Sequence, residues 1–203
     1  MIKNIIFDIG GVLVAFEPDR ILREMGLPEE EVKVISEHTA KGPYWKELDR
    51  GVIPQEEVHK QMLSTIPEEY KEDARRFLTK EVINAVRSFD YSADWLKSLK
   101  ERGYNVYLLT NYPDWMFDYH KEHVFTFTPY VDGKVVSGKV KLIKPDHAIY
   151  KALIEKYNLN PAESVFIDDL AANAQAAREV GLNAIQFTNI DEVKKNLGEL
   201  LGR

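Results

Sequence analysis

The chain has 203 residues, 44% of them apolar and 30% charged, a globular composition that excludes disordered and collagen-like classes. The scaling of surface with mass predicts a folded surface of roughly 9,700 Å² against roughly 34,000 Å² unfolded, so about 70% is buried and a full core needs no staples. With 27 basic and 33 acidic residues the net charge is −6, which argues against nucleic acid as a partner but not against an anionic small molecule met by local positive charge. There are no cysteines, so disulfides, thiol nucleophiles, zinc–cysteine sites and iron–sulfur clusters are excluded. Met1–Asp8 lacks the pattern of a signal peptide, and no apolar stretch approaches the ~20 residues that span a bilayer. The expectation is a cytoplasmic protein with no membrane partner.

Ile5-Ile6-Phe7 predicts a short buried strand ending at Asp8-Ile9-Gly10-Gly11, which presents an acid at the strand's carboxyl end. From about Ala15 to Val86 five prolines, Pro18, Pro28, Pro43, Pro54 and Pro67, punctuate charged amphipathic segments. Glu29–Thr39, Gln55–Leu63 and Glu68–Leu78 have helical spacing, each with a proline before it. No strand is predicted in this stretch. Residues 15–87 are therefore expected to form a small all-helical unit inserted after the first strand, with residues 1–14 and 88–203 forming the core.

Beyond Phe89 the texture is α/β. Ser92–Arg102 predicts a helix with Trp95, Leu96 and Leu99 on its core face and Gly103 at its end. Tyr104–Leu109 predicts a strand ending at Thr110-Asn111, and Asp114–His123 a helix. Val131–Val135 reads as a hairpin tip, because Asp-Gly suits a type I′ turn. Asp146–Tyr157 predicts a helix, Ser164–Ile167 a strand ending at Asp168-Asp169, and Ala171–Val180 a helix closed by Gly181. A strand over Asn183–Phe187 and a helix over Asp191–Leu201 follow. Strands alternating with helices imply βαβ units and a mainly parallel sheet.

Three polar clusters thus end three predicted strands: Asp8, Thr110-Asn111 and Asp168-Asp169. In open parallel sheets, ligands bind outside the carboxyl ends of the strands. Three converging carboxylates repel one another unless a cation joins them, and oxygen ligands of this kind suit Mg²⁺. Lys144, before Pro145 at a helix entrance, adds positive charge beside a helix N-terminus, which is anion-binding chemistry.

With those residues in view, the sequence resembles the haloacid-dehalogenase superfamily, in its phosphatase branch with a helical cap. Phe7-Asp8-Ile9-Gly10-Gly11-Val12-Leu13 resembles its first motif and Leu108-Leu109-Thr110-Asn111 its second. Lys144-Pro145 resembles the third, and Phe166-Ile167-Asp168-Asp169, with Asn173 and Ala177 beyond, the fourth. The motifs lie in family order, and the insert matches the family's C1 cap, as in α-glucose-1-phosphate phosphatases and the N-terminal phosphatase domain of soluble epoxide hydrolases. The resemblance implies a Rossmann-like three-layer α/β core and Mg²⁺-dependent hydrolysis of a small phosphorylated metabolite. It implies that Asp8 attacks phosphorus to form an aspartyl-phosphate. Thr110 with the Asn111 backbone N–H would hold a phosphoryl oxygen, and Lys144 would neutralise charge. Asp8, the Gly10 carbonyl and Asp169 would hold the metal, with Asp168 as ligand or acting through water.

One departure from the pattern matters. Most phosphatases of the family carry a second Asp two residues after the nucleophile, which protonates the leaving oxygen and then activates water; here that position is Gly10. Losing general acid–base help costs roughly 10²–10⁴ in rate. Three readings stay open. The first is a phosphatase for an activated ester such as a sugar 1-phosphate, with Glu17 or Asp19 as substitute acids. The second is a dehalogenase, which also lacks the second Asp but does not need Mg²⁺. The third is a catalytically weak phospho-ligand-binding or regulatory module.

Other features have plainer expectations. Gly133–Val140 nearly spells a P-loop, but Val140 stands where Ser or Thr is required and the run has hairpin texture. His120 and His123 read as exposed helix histidines rather than a metal pair, and His38, His59 and His147 as isolated. Tyr44, Trp45, Tyr112 and Trp115 read as packing residues first and pocket residues second.

Overall fold

In the computed structural model, which describes residues 1–202, strand β1 (Asn4–Phe7) is buried at every position, as a central strand covered on both faces must be. The chain then enters a two-stranded antiparallel ribbon, β2 (Val14–Phe16) and β3 (Val86–Ser88). Between these strands run α1 (Pro18–Glu24), α2 (Glu29–His38), α3 (Trp45–Arg50), α4 (Gln55–Ser64) and α5 (Lys71–Arg76). A 3₁₀ turn leads into α5, and a wider π-helical turn follows over Phe77–Glu81. The expected helical segments Glu29–Thr39, Gln55–Leu63 and Glu68–Leu78 are found as α2, α4 and the 3₁₀, α5 and π-helical run, whereas α1, α3 and the ribbon at their base were not expected. Three-residue strands leave no periodicity to read, and each finds its partner only across the whole insert.

The rest alternates strand and helix: α6 (Ser92–Glu101), β4 (Asn105–Thr110), α7 (Asp114–His123), β5 (Gly133–Val136), α8 (Ser137–Val140), α9 (His147–Tyr157), β6 (Ser164–Asp168), α10 (Ala171–Glu179), β7 (Asn183–Gln186) and α11 (Ile190–Leu200). The five-stranded sheet has the order β5-β4-β1-β6-β7, and every neighbouring pair is parallel. This is a Rossmann-like three-layer fold. Alternation along the strands divides the core in two. Ile5, Phe7, Leu108 and Ile167 join Trp95 and Leu99 of α6 and Leu197 of α11 on one side. Ile6, Leu109 and Phe166 join Tyr150 and Leu153 of α9 and Ala177 of α10 on the other. Phe7 meets the Trp95 ring edge-on at 4.9 Å. No helix among the described residues is long and apolar enough to cross a membrane.

The expected hairpin at Val131–Val135 is absent. Asp132 instead closes the entry to edge strand β5. Its carboxylate accepts from the Val106 N–H at 2.7 Å and from Lys100 Nζ at 2.6 Å, and Gly133 lies opposite Tyr107 in parallel register. Gly133–Val140 does run from strand to helix, contrary to its hairpin texture. Gly133 is nevertheless paired inside the sheet, and the Gly138 N–H donates to the Tyr112 carbonyl at 3.2 Å. The run therefore forms no open phosphate loop.

His120 also departs from expectation: it is fully buried. Its Nε2–H donates to the Ile83 carbonyl at 2.6 Å, and its Nδ1 accepts from the Tyr112 hydroxyl at 2.7 Å, an assignment that follows from the carbonyl having no proton to give. The ring ties α7 to the base of the insert. His123 is exposed and stacks on Tyr119 at 4.3 Å, so the two histidines form no metal pair.

Burial lowers the His120 pKa from its ordinary 6.5, outweighing its bond to Ile83. The unfolded chain then binds the proton more readily than the folded one. The resulting stability is present above pH 6.5 or so and is lost as pH falls through the folded value. His120→Gln is expected to cost about 1–3 kcal/mol near neutrality, with the gap to the parent protein narrowing as pH drops to about 5.5. Urea unfolding at the two pH values measures this; a gap independent of pH would contradict it.

Candidate active site

Sheet order decides which side chains meet. Strand β1 lies between β4 and β6, so Asp8, Thr110-Asn111 and Asp168-Asp169 emerge side by side at one edge. The Asp8 N–H donates to the Ile167 carbonyl at 2.9 Å, and its Oδ1 accepts from the Ile9 N–H at 2.7 Å. Lys144 Nζ lies 2.8 Å from Asp8 Oδ1 and 2.7 Å from Asp168 Oδ2, with its side chain only 1% exposed. Asn111 clamps the lysine's backbone, accepting from the Lys144 N–H at 2.8 Å and donating to its carbonyl at 3.0 Å. The Lys144–Pro145 peptide is cis.

Asp168 is wholly buried. Besides Lys144, it accepts from the Leu170 N–H at 2.8 Å and from Asn173 Nδ2 at 3.0 and 3.1 Å. Asp169 forms no ion pair among the described residues. Asp8, Asp168 and Asp169 each offer an oxygen within 4.8 Å of the others.

Three acids thus face one lysine. Burial, and then the charge of Asp168, push the Asp8 carboxyl up to about 7 against the opposing pull of Lys144. Burial also raises Asp169, with Asp168 adding to it. Burial alone would lower the Lys144 ammonium, but Asp8 and Asp168 outweigh it and hold it above its ordinary value. A cluster of hard oxygen donors short of positive charge fits a divalent cation such as Mg²⁺, which takes one or two carboxylates and fills its remaining positions with water or phosphate oxygens. The hydrogen bonds divide the acidic pair: Asp168 is committed to Lys144 and Asn173, leaving Asp169 the less committed carboxylate.

Asp8, Gly10, Asn111, Lys144, Asp169 and Asn173 line the floor of a cavity of about 330 Å³. Its upper wall is apolar, built from Val14, Phe16, Trp45, Val86, Pro113 and Met116. Trp45 leans on Phe16 with ring centroids 5.3 Å apart. Of the aromatic candidates, Trp45 and Tyr112 line the cavity, whereas Tyr44 and Trp115 pack against the core. Asp168 sits behind the floor. Thr110, at the end of β4, is fully buried and does not line the cavity, and its Oγ1 has no hydrogen-bond partner among the described residues.

The two candidate substitute acids lie elsewhere. Glu17 pairs with Arg20 at 3.4 Å and Arg87 at 3.5 Å, and Asp19 with Lys41 at 2.6 Å and the Ser36 hydroxyl. Neither lines the cavity. Asp49, near the end of α3, does line it. Burial, reinforced by the charge of Asp8, pushes its carboxyl up to about 7. The sequence offered no signal for it: one acid on a charged helix gains meaning only when that helix is docked.

Known proteins resemble this chain in sequence and in fold. Residues 2–181 match the family described as haloacid dehalogenase-like hydrolases. The chain is 28% identical to a sesquiterpene phosphatase of Aspergillus oryzae, over 98% of this chain and 97% of that protein. It is 26% identical to a D-ribitol-5-phosphate phosphatase of Bacteroides thetaiotaomicron, over 99% of each. A magnesium complex of a HAD family enzyme from B. thetaiotaomicron has a TM-score of 0.68 at 25% identity, covering 91% of this chain and 92% of that one.

The two glycines after Asp8 make opposite demands. Gly11 has φ +69°, and a Cβ there would collide with the Asp169 carboxylate. Gly10 lies outside the left-handed region, and a Cβ there meets nothing within 4 Å. Gly11→Ala is expected to cost about 1–3 kcal/mol in urea unfolding, and Gly10→Ala less than about 0.5 kcal/mol. Equal costs would contradict the geometry.

Proposed function

The chain belongs to the haloacid dehalogenase-like hydrolases, and on that premise we propose that it is a magnesium-dependent phosphatase that hydrolyses a small phosphate monoester through an aspartyl-phosphate on Asp8. The observation that carries this reading is the position of Asp8. Its carboxylate opens onto the cavity floor while its charge is balanced at 2.8 Å by a lysine that Asp168 holds in place. A carboxylate is a weak nucleophile, and phosphoryl transfer depends mostly on positioning and charge neutralisation.

In this reading an Asp8 oxygen attacks phosphorus in line. The partnerless Thr110 hydroxyl and the Asn111 backbone N–H take a phosphoryl oxygen, and Lys144 neutralises charge between nucleophile and phosphate. Asp8, the Gly10 carbonyl and Asp169 would hold Mg²⁺, with Asp168 as ligand or acting through water. When bound, the metal supplies the positive charge that one lysine does not. Residues 15–87 act as a cap over a core of residues 1–14 and 88–203. Phe16, Trp45, Asp49 and Val86 bring the insert's contribution to the cavity wall, where it excludes water and selects the substrate.

Gly10 gives the leaving oxygen no donor from the sheet edge, so an ester with an acidic leaving group, of which sugar 1-phosphates are one class, asks least of the site. The wall favours a second class. Phe16, Trp45, Val86, Pro113 and Met116 offer apolar contact and few partners for sugar hydroxyls, which suits an ester whose organic part is flat or apolar.

Phosphate release is expected from aryl phosphate and α-glucose 1-phosphate in preference to glucose 6-phosphate or a nucleotide, and chelation of Mg²⁺ should abolish it. Asp8→Asn is expected to lower release by roughly 10⁴-fold or more with no loss of thermal stability, since Lys144 keeps Asp168. Release unaffected by Asp8→Asn, or ligand binding with no turnover of any ester, would overturn the proposal.

A further inference from the structure

We propose that Asp49, carried by the inserted helices, is the proton donor and acceptor at the ester oxygen, the task for which position 10 has no side chain. The inference rests on the phosphatase reading and adds a residue to it.

The cavity's inventory leads to Asp49 by function and placement together. Five titratable side chains line it: Asp8, Asp49, Tyr112, Lys144 and Asp169. Asp8 is the nucleophile. Lys144 is committed to two carboxylates, at 2.8 and 2.7 Å. Asp169 belongs to the acidic cluster. The Tyr112 hydroxyl is turned toward His120 at 2.7 Å. Among the described residues, Asp49 alone of these has a carboxyl group with neither an ion pair nor a role among the phosphate-binding groups. It also approaches from the other side. The remaining acids project from the sheet ends, whereas Asp49 comes from the insert wall that carries Trp45 and Phe16. An ester seated with its phosphoryl group on Asp8 directs its organic part toward that wall, so its bridging oxygen lies on the Asp49 side.

The backbone around Asp49 is fixed to the core while its carboxyl stays uncommitted. Its carbonyl accepts from the Ser137 hydroxyl at 2.5 Å, and Ser137 Oγ in turn accepts from the Tyr112 N–H at 2.8 Å. Two residues on, Gly51 has φ +66°, and a Cβ there would run into the Gly138 carbonyl at 2.9 Å and Lys141 Nζ at 2.8 Å. The end of α3 is therefore seated directly on the α8 turn, and no side chain fits between them. Burial favours the neutral acid at Asp49, the form a proton donor must start from.

The chemistry closes in two steps. As Asp8 Oδ bonds to phosphorus, the P–O bond to the organic group breaks; the leaving oxygen keeps the electron pair and takes the Asp49 proton, giving the free alcohol. Asp49, now a carboxylate, then removes a proton from water as the water oxygen attacks the aspartyl-phosphate. The P–O bond to Asp8 breaks, phosphate departs, and Asp8 and Asp49 return to their starting forms.

The test is kcat/KM, with Mg²⁺ present, on substituted phenyl phosphates of graded leaving-group acidity and on one alkyl phosphate, for the parent protein, Asp49→Asn, and Asp49→Asn with Gly10→Asp. A donor matters most where the leaving oxygen is most basic. Asp49→Asn is expected to lower the alkyl ester roughly 10²–10⁴-fold and the most acidic phenol ester by less than about tenfold. Adding Gly10→Asp, for which the backbone has room, is expected to restore the alkyl ester about tenfold or more. Equal loss across the series, no loss, or no restoration would overturn the role of Asp49 while leaving the phosphatase reading intact. A parent protein that releases phosphate from no ester would overturn both.

Discussion

Everything in the site depends on one buried cation. Lys144 Nζ lies between Asp8 and Asp168 at hydrogen-bonding distance from both, with almost no access to water. Leaving a buried charge without its partner costs about 3–5 kcal/mol, so the fold has strong reason to keep these three groups together. Each comes from a different part of the chain: the end of β1, the end of β6, and the turn before α9. The order β4-β1-β6 brings the strand ends side by side. Asn111, just past β4, grips both backbone groups of Lys144. The sheet, the clamp and the ion pairs thus support one geometry.

That geometry leaves an imbalance, and the imbalance is its chemical content. One lysine does not neutralise three carboxylates, and Asp8 and Asp169 are both held above their ordinary pKa. In the proposed function this edge takes further positive charge and an anion brought in with it. The insert divides the labour differently. It brings apolar surface in Phe16, Trp45 and Val86, and one carboxyl in Asp49, to a floor that is almost entirely polar. In the proposed function, phosphate recognition belongs to the sheet ends, and the choice of organic group to the helices between β2 and β3.

Much of this was legible from the residues because parallel sheets place chemistry at predictable points. A strand that stops at Asp8, another at Thr110-Asn111 and a third at Asp168-Asp169 must present those groups at one edge if the strands are neighbours, and they are. Helices such as Ser92–Glu101 were legible from the spacing of Trp95, Leu96 and Leu99. What escaped was tertiary. The β2–β3 ribbon is too short to carry a pattern and pairs across the insert. Asp132-Gly133 has the chemistry of a tight turn, but Val106 and Lys100 draw Asp132 into an edge-strand entry instead. The spacing of His120 and His123 suggested one exposed helix face, while the packing of Tyr112 and Ile83 buried the first and left the second outside. Asp49 is the clearest case: its place at the cavity comes from Gly51 allowing the end of α3 to sit on the Gly138 backbone of α8, a contact between segments that share no local pattern.

In the proposed mechanism Lys144 keeps Asp8 in place as the group that receives phosphorus. Peptide mass spectrometry of protein acid-quenched during turnover of a phosphate ester tests it most directly. A phosphoryl group on the peptide bearing Asp8, located to that residue by fragmentation and absent when Mg²⁺ is chelated, is the predicted result. Sustained turnover with the phosphoryl group found on another residue would contradict it.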